Sequence, residues 1–135
     1  MRLVCIDTSS QTESLALTEH GDVVAEMAAH RAKGHASALL PDLNQLLSEA
    51  NWNWRDVEGI AIGLGPGGFT SLRIGLATAK SLAYSLKIPL FGATTLAMLA
   101  ARFQHPDVMP LIDAKRGEVY VQGSDHRLHC KHPEK

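Results

Sequence analysis

Gly63-Leu64-Gly65-Pro66-Gly67-Gly68 spells G-x-G-x-x-G, the pattern by which a strand turns sharply into a helix whose first N–H groups can face a phosphate. The apolar run Gly59 to Gly63 precedes it and a helical pattern follows, the setting of a dinucleotide site. Such a site needs a carboxylate about 20 residues downstream for the ribose hydroxyls, yet no Asp or Glu occurs between Glu58 and Asp107. No Gly-Lys-Ser/Thr follows the glycines either, so the lysine and metal-binding hydroxyl of a Walker loop are missing. Two readings stay open: a nucleotide-binding enzyme using the Gly63–Gly68 loop, or a tight turn whose helix start merely favours an anion.

Asp7, Thr8 and Arg73 are the candidate contacts for a nucleotide or anion. Asp7 could position a metal-bound water, but a carboxylate at a strand end more often caps the adjoining turn, and the structural role is favoured. Arg73 in a first helical turn suits an anion at the glycine loop and suits equally a carboxylate on a neighbouring surface. His126, His129, Cys130 and His132 bring imidazole and thiolate together, a zinc-like set. Their spacing matches no closed zinc module, so a disordered tail is expected and no metal is assigned.

The elements that must carry these residues follow from periodicity. Leu3 to Ile6, Ser14 to Thr18 and Val23 to Met27 read as three antiparallel strands, the last two joined around Glu19-His20-Gly21-Asp22. Leu39, Leu40, Leu43, Leu46 and Leu47 recur at helical spacing from Ser37 to Ala50, with Pro41 placed near the first turn. After the strand Gly59–Gly63, Thr70 can cap a helix running through Leu72, Leu76, Ala79, Leu82, Ala83 and Leu86 until Lys87-Ile88-Pro89 stops it. Leu90 to Gly92 reads as a fifth strand, and Thr94 or Thr95 caps a helix from Leu96 to Phe103. Pro106 and Pro110 mark a linker, then Val108 to Ile112 and Glu118 to Val121 form a strand pair around Asp113-Ala114-Lys115-Arg116-Gly117. The order β-β-β-α-β-α-β-α plus a hairpin predicts a mixed five-stranded α/β sheet, a ribonuclease-H-like half-domain over 1–104, and an incomplete start of a second domain over 105–135.

Gly75, Ala79 and Ala83 recur every four residues and let another backbone come close, either the parent sheet or a second helix. With 135 residues, 45% hydrophobic and a net charge of −1, the chain has enough apolar residues for one core and no global basic excess for nucleic acid. Cys5 in an apolar run and Cys130 in a polar tail make a poor disulfide framework. Apolar stretches too short for a signal peptide or a membrane span leave the cytoplasm as the expected compartment.

Gly65-Pro66-Gly67-Gly68-Phe69-Thr70-Ser71-Leu72-Arg73-Ile74-Gly75 resembles the GPGSFTGLRIG signature of the TsaB (YeaZ) family, with Gly68 in place of serine and Ser71 in place of glycine. Ile6-Asp7-Thr8-Ser9, His35-Ala36-Ser37-Ala38-Leu39-Leu40-Pro41, Thr94-Thr95-Leu96 and Ile112-Asp113-Ala114-Lys115-Arg116-Gly117-Glu118-Val119-Tyr120 resemble the same family, in the same order. The resemblance implies an actin-like ATPase (ASKHA) fold without its own activity and with no catalytic residue: a pseudo-enzyme in tRNA threonylcarbamoyladenosine modification. Asp113 is then the sole candidate for a carboxylate opposing Asp7. It further implies pairing with TsaD, TsaE joining through the complex, a homodimer when alone, tRNA reached indirectly, and no cofactor except ATP or ADP at an interface with TsaD. The helices place Leu39, Leu43, Leu72, Gly75, Leu76, Ala79 and Ala83 as the expected partner interface, beside the glycine-loop residues Gly65, Pro66, Gly67, Gly68, Phe69, Thr70 and Arg73.

Overall fold

Alternation of apolar residues sets the sheet. In β1 (Arg2–Asp7) Val4 and Ile6 are buried, and in β2 (Thr12–Glu19) Glu13, Leu15 and Leu17 are buried on the same face. A computed structural model describes residues 1–31, 35–103, 109–122 and 127–132. β2 turns into β3 (Asp22–His30) through His20 and Gly21, both at positive φ (53° and 97°), the two-residue type I′ geometry whose twist suits a hairpin. β4 (Gly59–Gly63) lies parallel to β1, and β5 (Leu90–Ala93) parallel to β4, giving the order β3-β2-β1-β4-β5. That is the arrangement expected of a ribonuclease-H-like half-domain.

Helices α1 (His35–Glu49) and α2 (Phe69–Leu86) cover one face of this sheet. Leu39, Leu43, Leu46 and Leu47 of α1 meet Val4, Leu15, Leu17, Ile60 and Ile62 in a single cluster. Each such side chain contributes about 1.5–3 kcal/mol by leaving water. Pro41 sits in the second turn of α1, because the helix begins at His35 and not at Ser37; the Ser37 carbonyl thereby lacks its ordinary intrahelical donor. A 3-10 turn (Trp54–Asp56) is pinned to α1 by the Trp54 indole N–H donating to Asn44 Oδ1 at 2.8 Å. α2 ends on left-handed Lys87 (φ 56°), with the Ile88 N–H returning to the Ala83 carbonyl at 3.1 Å before Pro89.

The chain's contacts group Met1–Ala93 and Thr94–Lys135 as two compact units. The helix expected to close the first domain, α3 (Thr95–Phe103), thus falls in the second unit, upstream of the boundary read after residue 104. Thr94 caps α3, its hydroxyl accepting the Ala97 N–H at 3.1 Å. Beside it stands a sheet of β6 (Ile112–Lys115), β7 (Glu118–Gln122) and β8 (Leu128–Lys131) in that order. β6 starts at Ile112, later than the strand read from Val108, a position outside the described residues. Residues 128–131, expected as disordered tail, instead pair with β7 from Leu128↔Gln122 to Lys131↔Val119. No helix of the described residues is long and apolar enough to cross a membrane.

Candidate functional site

The glycine loop and the turn after β1 sit against each other with almost no side chain between them. A Cβ on Gly67 would stand 2.0 Å from the Ser9 carbonyl oxygen, so only glycine fits. The next residue, Gly68, donates its N–H to that same oxygen at 2.9 Å. Thr8 is fully buried, and its hydroxyl donates to the Ser71 carbonyl at 2.7 Å. Gly75 makes room for it, since a Cβ there would lie 2.2 Å from Thr8 Oγ1. Asp7 Oδ1 accepts the Ser9 N–H at 2.9 Å, the turn-capping geometry, and the same oxygen would be 2.5 Å from a Cβ on Gly63.

The cap of α2 is Gly68 and not Thr70, which already lies inside the first turn. Gly68 has extended dihedrals (φ −60°, ψ 124°) and no side-chain cap, while Ser71 Oγ donates to its carbonyl at 3.0 Å. Gly65 has φ +85° and the Gly65–Pro66 peptide is cis. At the outer rim, Phe69 is 75% exposed and the Arg73 guanidinium lies over its ring, 5.3 Å from the centroid. Arg73 therefore makes a cation–π contact, a role neither alternative for it anticipated.

The expected interface residues divide by burial. Leu39, Leu43, Gly75, Ala79 and Ala83 are buried within the chain, and Leu72 and Leu76 half-buried. Of the two readings of the small-residue stripe, the structure takes the parent sheet: α2 packs on β4 and β1 through Gly75, Ala79 and Ala83 because small residues let the helix backbone come close. What α1 and α2 leave open is a groove of about 420 Å³ lined by Leu40, Ala77, Thr78, Ser81, Leu82 and Ser85. Sequence reasoning missed this outer surface. The available signal was the other side of the α2 wheel, where small and hydroxyl residues replace charge.

A family model described as "TsaD: tRNA N6-adenosine threonylcarbamoyltransferase" matches residues 5–131. A Pseudomonas aeruginosa structure described as an uncharacterized protein similar to peptidase YeaZ superposes with a TM-score of 0.86 at 31% identity, covering 99% of this chain and 68% of that one. The chain belongs to the TsaD family, in its TsaB (YeaZ) branch. The Bacillus subtilis tRNA threonylcarbamoyladenosine biosynthesis protein TsaB is 38% identical over 123 residues, 90% of this chain and 54% of that protein. This TsaB-family chain spans about half the length of the curated relatives it matches. RuvC of Thermus thermophilus, 11% identical over 80% of this chain and 71% of its own, has a TM-score of 0.51 and shares the fold alone. The fold is thus the ribonuclease-H-like, ASKHA-type α/β sheet expected of the family.

In the second unit of this TsaB-family chain, Asp113 behaves as Asp7 does in the first. Its Oδ1 accepts the Lys115 N–H at 2.7 Å, and that bond, ahead of the Lys115 ammonium at 3.3 Å from Oδ2, holds the carboxyl below the usual aspartate range. Cys130 on β8, an exposed residue, donates to Glu118 Oε2 at 3.4 Å, and slight desolvation followed by that carboxylate pushes its thiol up. His132 Nδ1 lies 3.2 Å from the Gly117 carbonyl, and His126 is outside the described residues. Among the described residues no three of His, Cys, Asp and Glu are grouped to hold a metal.

Proposed function

We propose that the chain serves tRNA threonylcarbamoyladenosine biosynthesis as a non-catalytic scaffold and activator that pairs with TsaD, the partner that performs the threonylcarbamoyl transfer. The observation carrying this reading is the filled cradle. The Ser9 carbonyl accepts the Gly68 N–H and abuts Gly67, so that N–H is spent within the chain and a carbonyl oxygen, which repels an anion, stands beside the glycines. Asp7 and Asp113 each accept an N–H of their own turn, which supports a structural use of both carboxylates. The names of the curated relatives support the pathway.

The docking surface in this reading is the α1–α2 groove with Leu40 at its rim, 45% exposed. A second copy takes that surface when TsaD is absent, TsaE joins through the complex, and ATP or ADP enters only at the interface with TsaD. Cytoplasm is the compartment that suits this work.

The test is co-purification with TsaD and threonylcarbamoyl transfer by the pair, using Ser81→Arg together with Ser85→Arg, both at exposed positions. Pairing and transfer should fall at least tenfold while the circular dichroism spectrum is unchanged. Full transfer by the double variant removes the groove from the reading, and substrate turnover by the chain alone removes the scaffold role. Calorimetry with NAD and ATP addresses the rival enzyme: tight saturable binding, lost in Gly65→Val, would favour it.

A further inference from the structure

The outward flank of α2 carries a line of two rings and three cations that the groove does not use. At 100° per residue, Phe69, Arg73, Lys80, Tyr84 and the register position of Lys87 fall within an arc of about 60°, with Leu76 and Ala77 about 20° beyond its two edges. Phe69 and Tyr84 are 75% and 88% exposed, and Arg73, Lys80 and Lys87 are exposed as well. The cations repeat every seven residues, about 10 Å apart, and the line is about 27 Å long. Among the described residues no carboxylate pairs with them, and the sequence holds no Asp or Glu between Glu58 and Asp107.

We propose that this stripe is a direct contact for single-stranded or looped RNA, the rings stacking on bases and the cations meeting phosphates. The inference rests on the tRNA pathway proposed above and alters it in one respect: RNA reaches this chain itself and not only through a partner. Local charge decides, since a net charge of −1 says nothing of a flank whose titratable groups include three cations and no carboxylate. Two flat rings, Phe69 and Tyr84, the first already extended by the Arg73 guanidinium, form the platform on which unpaired bases stack without regard to sequence. A protein partner fits less well. Lysine is depleted from the cores of protein interfaces, and the aliphatic residues flanking the line are only Ala77 and the half-buried Leu76, whereas Leu40 and Leu82 lie in the neighbouring groove.

Fluorescence anisotropy of the 135-residue chain with a fluorescein-labelled RNA stem-loop tests this without TsaD, so it stands or falls apart from the pairing itself. Three phosphate contacts on a single strand predict a roughly 20-fold loss of affinity between about 50 and 200 mM salt. Arg73→Gln with Lys80→Gln should cut that salt effect to roughly 3-fold and weaken binding at low salt. Phe69→Ala with Tyr84→Ala should weaken binding tenfold or more and leave the salt effect unchanged. Binding that ignores either double variant overturns the proposal, as does equal binding of a fully paired duplex, which offers no free base faces. If the Arg73/Lys80 variant loses TsaD capture while RNA binding stands, the stripe is a protein interface and the proposal fails.

Discussion

At the end of the sheet where β1 and β4 finish, Ser9, Gly67, Thr8 and Gly75 meet with hardly an atom to spare, whereas at the end where those strands begin Arg2 gathers its neighbours by charge. Arg2 Nε lies 2.7 Å from Glu19 Oε1, its guanidinium covers the Trp52 ring at 5.0 Å, and Asp56 stands 4.0 Å from Nη1. The Arg2 N–H donates to Glu58 Oε2 at 2.6 Å. A clasp of long, exposed side chains can shift when one member changes, because water replaces what is lost. The close-packed clasp has less freedom, since Gly67 abuts main chain, Gly75 abuts a buried side chain, and an added atom collides with either. The end built on close contact is therefore the fragile one.

Substitutions at four positions sharpen that contrast. Gly67→Ala should cost the most, about 3 kcal/mol or outright loss of folding in urea titration, because the new methyl meets the Ser9 backbone. Gly75→Ala should cost about 2 kcal/mol, as the obstacle is a side-chain hydroxyl. Combining it with Thr8→Ala should cost less than the sum of the two singles, since the second change removes the clash along with the bond to Ser71. Asp7→Ala should cost about 1 kcal/mol while Asp7→Asn, which keeps an acceptor for the Ser9 N–H, should cost little. A large stability loss in Asp7→Asn would show that charge matters there.

Arg2→Ala should have the smallest effect at neutral pH, and added salt should shrink it further. Its pH dependence has a defined sign. The hydrogen bond from Arg2 holds the Glu19 carboxyl below the ordinary glutamate range, so its contribution is present above that range and lost as pH falls through the depressed value. Urea midpoints of wild type and Arg2→Ala should therefore converge on acidification; a gap that widens would refute the assignment.

Much of the fold was written locally. Alternation in Val4, Ile6, Leu15 and Leu17, and the leucine spacing of α1, gave the strands and helices with boundaries within a few residues. β8 was missed because Leu128-His129-Cys130-Lys131 is too short and sits in too polar a tail for its two apolar residues to signal a strand; its strand character comes from pairing with β7. The cap of α2 was misplaced for a similar reason, as Gly68 owes its conformation to the distant Ser9 carbonyl and not to a side chain of its own. The stripe Gly75-Ala79-Ala83 was visible, but which neighbour it faces depends on where β1 and β4 lie, a fact no single helix contains. The seven-residue spacing of Arg73, Lys80 and Lys87 gains a use only from the exposure of Phe69 and Tyr84, which no spacing reveals.

β1 joins neighbours of very different separation along the chain: β2 follows after a short turn, while the pairing Leu3↔Gly59 spans α1 and the Trp54 turn. Closing so long a loop is slow compared with zipping adjacent hairpins. During refolding the β1-β2-β3 meander should accordingly gain amide protection before β4 docks, an order that pulse-labelled hydrogen exchange can read. The Ser9–Gly67 contact, which joins the early half to the late half, would then be one of the final steps to lock.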